Sequence, residues 1–248
     1  MIPTLLFPTR HQNSLQEHSF EVVPHTGDCA RIYARADHVL IGVSPGNSYF
    51  TSDRLAELAR WSLGHFEAVD FVYADLHVDA MFEATGYTAE HAAKRAAKEV
   101  KAVRRRIAKG LDEAEAPSER VRVHALSEFA GSAEYRELHA EVLHALAVDR
   151  EFQLAAEDMV RQVVGGRTPD DEAMSAAQRQ AGLDYLAAEL PFFLDTPAIL
   201  GVPTSVGCYH KTLPLVNVLY TRQEGLRAAD GQAYAVVRPR AVEALSAA

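Results

Sequence analysis

The 248-residue chain has the composition of an ordinary folded protein: 48% of its residues are hydrophobic, 24% are charged, 14 are glycine and 11 are proline. This composition excludes a fibrous or intrinsically disordered chain. Its two cysteines, Cys29 and Cys208, are too few for the disulfide framework of a small secreted protein or for a four-cysteine zinc site. We expect both to remain thiols in a reducing compartment.

The N-terminal segment lacks the features of a targeting signal. It has no basic stretch before its apolar residues, and Pro3 and Pro8 interrupt them. No stretch of the chain reaches the ~18 uninterrupted apolar residues that a membrane-spanning helix needs. We therefore expect a cytoplasmic protein without a membrane anchor. Residues 1–36, which contain several prolines, are expected to form an irregular leader before a single domain at 37–248.

From residue 37 onward, strand-like and helix-like apolar patterns alternate. Strands are predicted at Val39–Val43, Val69–Tyr73 and Arg120–Leu126, with short β-like segments at 199–206 and 233–237. Helices are predicted around residues 55–63, over Thr88–Lys109, within 132–164, and from a capping loop at Thr168–Asp171 to about Pro191. This alternation predicts an α/β fold with a mainly parallel sheet flanked by helices.

The charge of the chain is unevenly distributed. The net charge is −9, yet eight of the residues from Lys94 to Lys109 are basic and only Glu99 is acidic. The rest of the chain carries 17 basic and 33 acidic residues, a net charge of −16. One segment is therefore strongly positive on an otherwise acidic protein.

Helical spacing divides this basic segment into two stripes. The apolar stripe contains Ala96, Val100, Val103 and Ile107, and the basic stripe contains Lys94, Lys98, Lys101, Arg105 and Lys109. The basic stripe is either a solvated face or a surface for a phosphate backbone. Because no aromatic residues lie between the cations, the pattern suits phosphate contacts better than base recognition, and tRNA is a natural partner.

The segment VSPGNSY directly follows the first predicted strand. Ligands of open α/β sheets bind beyond the carboxyl ends of strands, so Ser44 stands where a nucleophile would be useful. The alternative is a Gly and Pro turn whose hydroxyls cap the next helix. The standard phosphate-binding glycine motifs are missing. Gly42 and Gly46 fit the G-x-S-x-G pattern of hydrolases, but Pro45 cannot supply the N–H that normally helps to form the oxyanion hole.

Two further groups of polar residues are candidates for a site. Tyr185 and Glu189 are four residues apart on a predicted helix, so their side chains share a face that can hold an ammonium group, unless this is an ordinary polar helix face. Tyr209 and His210 place a phenol and an imidazole side by side, which suits either a site or hydrogen bonding in a core.

A third candidate group is acidic and imidazole-bearing. Asp75, His77 and Asp79 follow the second strand with a period of two, so in an extended chain they could ligate a metal. His77 with Ser44 and an aspartate is also a possible hydrolase triad.

Taken together, the segments from about His38 to Pro239 resemble the cyclodipeptide synthase family, whose members use aminoacyl-tRNAs to make cyclic dipeptides. The resemblance is carried by several motifs in the same order: HVLIGVSPGNSYF, FVYADLHVDAM, the basic helix, SEFAGSAEYREL, EDMVRQVV, AGLDYLAAELPFF, SVGCYH and GLRAADGQAYAVVRP. It implies a single Rossmann-like domain, similar to the catalytic domains of class I tyrosyl- and tryptophanyl-tRNA synthetases but without their ATP-binding signatures.

The resemblance also implies roles for individual residues. Ser44 matches the nucleophile that takes the first aminoacyl group, Tyr185 and Glu189 match the pair that holds its ammonium, and Tyr209 matches the tyrosine implicated in proton transfer. Asn47, Tyr209 and His210 match the signature of one branch of the family. Two aminoacyl-tRNAs would be the substrates, an aminoacyl-serine and a dipeptidyl-enzyme would be the intermediates, and no ATP, metal or redox cofactor would be needed.

The same comparison assigns a pocket for the first aminoacyl side chain. The matching positions are Leu40, Gly42, Val72, Leu126, Tyr135, Phe192 and Gly207. Gly207 stands where the family usually has a larger apolar residue, and Phe192 replaces a smaller aliphatic one. These changes favour a bulky hydrophobic or aromatic first residue. A serine hydrolase that needs no tRNA and a non-catalytic tRNA-binding domain are the alternative functions.

Overall fold

The computed structural model of the protein describes residues 20–164 and 174–240. The strands of its sheet are β1 (Phe20–Pro24), β2 (His38–Val43), β3 (Ala68–Tyr73), β4 (Val121–Ala125), β5 (Ser205–Tyr209) and β6 (Gln232–Pro239). The helices in these residues are α1 (Gly27–Arg35), α2 (Ser52–His65), α3 (Val78–Glu83), α4 (Ala89–Glu113), α5 (Ala133–Val148), α6 (Arg150–Val164), α7 (Ala176–Glu189), α8 (Pro191–Leu200) and α9 (Pro214–Thr221).

The six strands form one sheet in the order β1-β6-β5-β2-β3-β4. Strands β6, β5, β2, β3 and β4 are parallel, and β1 pairs antiparallel with β6 at one edge. After β2 the chain proceeds to β3 and β4 on one side and then returns through α5–α8 to β5 on the other. This reversal opens a crevice at the carboxyl ends of β2 and β5, where α/β proteins bind ligands. The predicted Rossmann-like α/β fold is confirmed.

Alternating residues of the strands enter different cores on the two faces of the sheet. On one face, Val39 and Ile41 of β2 pack with Leu55 of α2 and Ile107 of α4. On the other face, smaller apolar clusters lie between the sheet and helices α5–α9. The crevice is on this second face.

A glycine brings helices α2 and α4 into close contact. A Cβ at Gly110 would lie 2.8 Å from both the Leu55 Cβ and the Ser52 carbonyl oxygen. Since real Cβ atoms do not approach this closely, only glycine lets α4 reach the first turn of α2. The close contact also brings α4 beside the loop that connects β2 to α2.

The predicted end of the helix near Pro191 is confirmed. Helix α7 begins after Ser175, whose side chain accepts a hydrogen bond from Gln178 N while the Gln178 side chain caps Ser175 N. It ends at Glu189, and Pro191 starts α8 at a position where its missing N–H has no cost. Glu189 is thereby held in the last turn of α7.

Two sequence-based predictions were wrong, and a third falls on residues that the structure does not describe. Residues 20–36 are not an irregular leader, because Phe20 is buried and β1 pairs with β6, and Thr26 caps α1. The β-like prediction at 199–206 was wrong at its start, where Ile199 and Leu200 end α8 and Gly201 stops it in the left-handed conformation. The predicted capping loop at 168–171 and residues 1–19 lie outside the described residues.

A polar network is buried at the amino-terminal ends of the central strands. His38 bonds Ser205 Oγ through Nδ1 and Asp70 Oδ2 through Nε2, both at 2.8 Å. Arg122 donates to both carboxylate oxygens of Asp70 from β4. Because Asp70 is fully buried, burial alone would raise its pKa, but the hydrogen bonds and charges of His38 and Arg122 bring the pKa below its usual value. The network therefore connects β5, β2, β3 and β4 through one ionised carboxylate.

The replacement Asp70→Asn should lower the free energy of unfolding by ~3 kcal/mol at pH 7, because it breaks a buried charged network. A carboxyl group with a lowered pKa contributes stability above its unfolded pKa and loses it as pH falls through its folded pKa. The difference between parent and variant, measured by urea unfolding, should therefore shrink as pH falls below about 4. A difference that is the same at neutral and strongly acidic pH would contradict this explanation.

Candidate active site

A cavity of about 380 Å³ opens at the carboxyl ends of β2 and β5, between the sheet and helices α7 and α8. It is lined by six residues that the sequence marked as catalytic candidates: Ser44, Asn47, Tyr185, Glu189, Tyr209 and His210. Six of the seven pocket residues expected from the resemblance also line it: Leu40, Gly42, Val72, Leu126, Phe192 and Gly207. The fold thus brings together segments that are far apart in the chain.

The loop after β2 presents Ser44 to the cavity. A turn closes when Asn47 N donates to the Ser44 carbonyl at 3.3 Å, with Gly46 at a positive φ of 74° that favours glycine. Phe50 N then donates to the Asn47 carbonyl at 3.4 Å. The loop therefore has its shape fixed around Asn47. It is here called the nucleophile loop (residues 44–50), after the role that the family resemblance implies for Ser44.

The Asn47 side chain joins the nucleophile loop to β5. Its Oδ1 accepts from Tyr49 N at 3.0 Å, so its Nδ2 is the end that faces Tyr209, donating to the phenol oxygen at 3.0 Å. Since Tyr209 accepts this bond, its own O–H is available to donate elsewhere. The Ser44 hydroxyl lies within hydrogen-bonding reach.

Helix α7 supplies a second phenol and a carboxylate to the same serine. Tyr185 lies within hydrogen-bonding reach of both Ser44 and Glu189. Their spacing of one helical turn places Tyr185 and Glu189 side by side on the face of α7 that borders the cavity, as the sequence predicted. Ser44 is consequently flanked by two tyrosine hydroxyls, with a carboxylate behind one of them.

Burial controls the protonation of this group. It raises the pKa of Glu189 to about 7, although the Tyr185 hydroxyl, by donating to the carboxylate, opposes the rise. Burial, followed by the charge of Glu189, raises the pKa of Tyr209 to about 12 and that of Tyr185 well above its usual value. Both phenols are therefore neutral hydroxyl groups at physiological pH, and Glu189 can gain or lose a proton there.

His210 fastens the other side of the nucleophile loop. Its ring stacks on Tyr49, with centroids 4.1 Å apart and planes 17° apart. Burial, together with the charges of Lys211 and Arg238, lowers the pKa of His210 to about 4. A neutral, stacked imidazole holds the loop without adding charge to the cavity.

Tyr135 does not line the cavity in the way the resemblance suggests. It is buried on α5, and its hydroxyl donates to the Ala188 carbonyl at 2.8 Å. Ala188 precedes Glu189, so Tyr135 contacts the helix that carries the carboxylate rather than the open space of the pocket. Its ring packs against Phe192, which does line the cavity.

A Cβ would fit at Gly207, but it would not stand in the open space expected from the sequence. A Cβ there would make only ordinary contacts, the nearest being the Ala233 carbonyl at 3.6 Å. Phe192, at the start of α8, also lines the cavity and packs in one cluster with Leu40, Val72 and Leu126. The cavity is therefore bordered by a position without a side chain on β5 and by an aromatic ring on α8.

All five cations of the basic stripe are exposed on α4. The two at its ends form ion pairs one turn away, Lys94 with Glu90 and Lys109 with Glu113. Within the described ranges, no carboxylate forms an ion pair with the three between them, Lys98, Lys101 and Arg105. The centre of the stripe is accordingly its most available positive charge.

The metal hypothesis for Asp75, His77 and Asp79 is not supported. His77 adopts a left-handed conformation and starts α3, so the segment is not extended. Asp75 accepts instead from Ser127, and in residues 20–164 and 174–240 no cluster of three metal-binding side chains occurs. His77 does not line the cavity that contains Ser44, which does not support the hydrolase triad.

Some cavity residues were not identified from the sequence. Val78 and Met81 on α3, Met159 on α6 and Leu213 before α9 form an apolar wall away from the sheet. Their spacing in the chain is that of ordinary core residues, and only the packing of separate helices turns them toward the cavity. Tyr49 belongs to the VSPGNSY segment that the sequence singled out. Its stacking on His210 could not be predicted, because His210 follows β5 and is far from Tyr49 in the chain.

Comparison with known proteins gives this arrangement a family. The model of the family described as cyclodipeptide synthase matches residues 20–239. The chain is 44% identical over 223 residues to cyclo(L-tyrosyl-L-tyrosyl) synthase of Mycobacterium tuberculosis, covering 90% of this chain and 77% of that protein. It is 43% identical over 215 residues to cyclo(L-leucyl-L-phenylalanyl) synthase of Streptomyces noursei, covering 86% and 90%.

The chain belongs to the cyclodipeptide synthase family. It is an enzyme that forms cyclic dipeptides, and the resemblance inferred from its motifs is confirmed.

Solved structures agree with this family assignment. The M. tuberculosis structure, described as showing that cyclodipeptide synthetases are related to type I tRNA synthetases, is 42% identical, with a TM-score of 0.82 and coverage of 95% and 100%. A cyclo(L-leucyl-L-phenylalanyl) synthase structure is 40% identical, with a TM-score of 0.84 and coverage of 90% and 100%. None of the described helices is both long and apolar enough to cross a membrane.

Burial and the Tyr185 hydroxyl have opposite effects on the pKa of Glu189, and the variant Tyr185→Phe separates them. This change removes the donor that lowers the pKa of Glu189 and keeps the burial that raises it. We expect the pKa, measured by ¹³C NMR of the labelled side-chain carboxyl, to rise above about 7. A pKa that stays the same or falls would show that Tyr185 does not stabilise the carboxylate.

Proposed function

We propose that this enzyme makes its product from two aminoacyl-tRNAs through an aminoacyl ester on Ser44 and then a dipeptidyl ester on the same residue. The observation that carries the proposal is the position of Ser44, a cavity-facing hydroxyl between the hydroxyls of Tyr185 and Tyr209, with Glu189 adjacent. We also place the chain in the family branch with Asn47, Tyr209 and His210 as its signature, and in the cytoplasm, where its substrates are.

The first step exchanges one oxygen ester for another. Ser44 Oγ attacks the carbonyl carbon of the aminoacyl-tRNA, and the ribose hydroxyl leaves with the proton that serine gives up. Because the two esters have similar energies, the step needs less activation than amide hydrolysis. The neutral hydroxyls of Tyr185 and Tyr209 support this transfer by orienting Ser44 and passing a proton between oxygens.

Glu189 is suited to hold the α-ammonium of the bound aminoacyl group. The Glu189 carboxylate provides a charged hydrogen-bond acceptor for an ammonium, and the Tyr185 hydroxyl beside it provides a neutral one. With a pKa of about 7, the same carboxylate can accept a proton from that ammonium. The free amine thus produced is the nucleophile that the next step requires.

Peptide bond formation and ring closure then follow on Ser44. The free α-amine of the seryl-bound residue attacks the ester carbonyl of the second aminoacyl-tRNA, releasing its tRNA and leaving a dipeptidyl ester. The terminal amine of the dipeptide attacks the seryl ester carbonyl, the ring closes, and Ser44 Oγ leaves. Tyr209 O–H is placed to return a proton to this oxygen. The closure is intramolecular and so has a high effective molarity.

The cavity walls support a product with at least one bulky hydrophobic or aromatic residue. One wall comes from the cluster of Leu40, Val72, Leu126 and Phe192, and another from a separate cluster that includes Met81 and Met159. We place one side chain against each wall. Relatives that carry tyrosyl, leucyl and phenylalanyl groups in their products fit this size class.

The exposed stripe on α4 is the proposed surface for tRNA phosphates, since the rest of the chain is strongly acidic. Long-range repulsion disfavours docking of a polyanion elsewhere.

The proposed function is tested by expressing the protein in a bacterium and searching the medium for a diketopiperazine by mass spectrometry. The parent should release one, and Ser44→Ala should abolish it, because alanine has no hydroxyl to accept the aminoacyl group. Burial raises the pKa of the Cys208 thiol in the same cavity, which disfavours a thiolate replacement.

The matched control is Ser48→Ala, which removes an exposed hydroxyl from the same loop and should leave product formation near the parent level. Absence of a diketopiperazine from soluble, folded parent protein would contradict the proposal. Undiminished product from Ser44→Ala would move the nucleophile to another residue.

The tRNA surface is tested with the triple variant Lys98→Gln, Lys101→Gln and Arg105→Gln. If each cation neutralises one phosphate, the slope of log affinity against log salt should fall by about 0.7–0.9 per residue replaced. In the double variant Lys94→Gln and Lys109→Gln the slope should fall by less per residue replaced, because those lysines are already paired with glutamates. A triple variant with the parent's affinity and slope would identify the stripe as a solvated face.

A further inference from the structure

The basic helix contains one arginine that is not fully exposed, in contrast to its other cations. Arg106 is only partly exposed, whereas Arg104 and Arg105 beside it are exposed. Its Nη1 donates to the Asn47 carbonyl of the nucleophile loop at 3.4 Å. Its Nε is buried without a hydrogen-bond partner among the described residues, and no carboxylate in those residues forms an ion pair with it.

The packing of the helices explains why this guanidinium reaches the loop. Arg106 is one turn before Gly110 and therefore on the same side of α4. Gly110 is the point where α4 contacts Ser52 and Leu55 in the first turn of α2. The nucleophile loop directly precedes α2, so the close contact at Gly110 brings Arg106 alongside it.

The carbonyl that Arg106 contacts belongs to the residue on which the loop depends. Asn47 also donates N–H to the Ser44 carbonyl, accepts from Phe50 N and Tyr49 N, and donates Nδ2 to Tyr209. A shift of the Asn47 peptide would therefore move the Ser44 carbonyl and the donor that orients Tyr209. Arg106 adds a charged donor to this carbonyl.

We propose that Arg106 is a positioning residue: by holding the Asn47 carbonyl it fixes the nucleophile loop, so that Ser44 and Tyr209 keep their reactive arrangement. This inference rests on the proposed function, since it takes Ser44 as the nucleophile. The role of Arg106 is nevertheless separate from tRNA binding. Helix α4 then serves the enzyme twice, since its exposed stripe faces the tRNA and its Arg106 holds the loop that carries the nucleophile.

The test compares Arg106→Met with Arg104→Met, which removes an exposed guanidinium from the same helix. The first readout is acylation of the protein by the cyanomethyl ester of phenylalanine, a substrate with no phosphate. Arg106→Met should lower the maximal rate about tenfold with little change in KM, because the loop is displaced while the side-chain pocket is intact. Arg104→Met should keep the parent rate, and Arg106→Lys, which retains a charged donor, should recover part of it.

A second readout does not depend on any reaction. The amides of Asn47, Tyr49 and Phe50 are protected by bonds within the loop. Hydrogen exchange of the peptide containing them should be about tenfold faster in Arg106→Met and unchanged in Arg104→Met. Equal thermal midpoints would show that both variants are folded.

The outcomes separate this inference from the proposed function. Parent-like acylation and exchange in Arg106→Met would overturn the role of Arg106, whatever its effect on tRNA affinity. If the parent is acylated neither by this ester nor by aminoacyl-tRNA, the proposed function fails, and the exchange experiment still decides whether Arg106 holds the loop.

Discussion

The hydrogen bond from Asn47 to Tyr209 joins the two segments that carry the proposed reacting groups. Ser44 follows β2, Tyr209 ends β5, and the side-chain amide spans the gap between the neighbouring strands at 3.0 Å. Because Tyr49 N occupies the amide oxygen, the amide has one orientation, and its Nδ2 is the group that donates to Tyr209. The stacking of Tyr49 on His210 and the contact from Arg106 support the same junction. These contacts together hold the loop that carries Ser44 against the end of β5.

The same site combines neutral phenols with one titratable acid. Burial leaves Tyr185 and Tyr209 protonated and brings the pKa of Glu189 close to neutrality. Ester exchange needs an oriented hydroxyl and a path for a proton more than it needs a strong base. Amide formation needs an unprotonated amine, which a carboxylate of this pKa can produce. The arrangement therefore suits a reaction whose substrates arrive already activated.

The sequence predicted the parts of the molecule that depend on local pattern. The alternation of apolar runs located β2, β3 and β4, and Pro191 marked the end of α7. The family motifs located Ser44, Tyr185, Glu189 and Tyr209, which the structure places around one cavity. The edge strand β1 was missed because five residues carry little pattern of their own and their stability comes from pairing with β6 at the far end of the chain.

Other features depend on tertiary packing and leave no mark in local spacing. The direction of the Tyr135 hydroxyl, toward Ala188 rather than the cavity, is set by how α5 lies on α7. Met81 and Met159 have the spacing of core residues, yet they line a cavity. The left-handed conformation of His77 broke the extended run that the metal hypothesis required.

The most direct test of the covalent mechanism is to trap the enzyme in acid within one turnover of mixing with a single type of aminoacyl-tRNA, and to map the modified peptide by tandem mass spectrometry. The mechanism predicts the mass of one aminoacyl group, with a second fraction carrying two, both located on Ser44 and both removed by mild base as expected of esters. A turnover that yields cyclic dipeptide while Ser44 is never found esterified would contradict it.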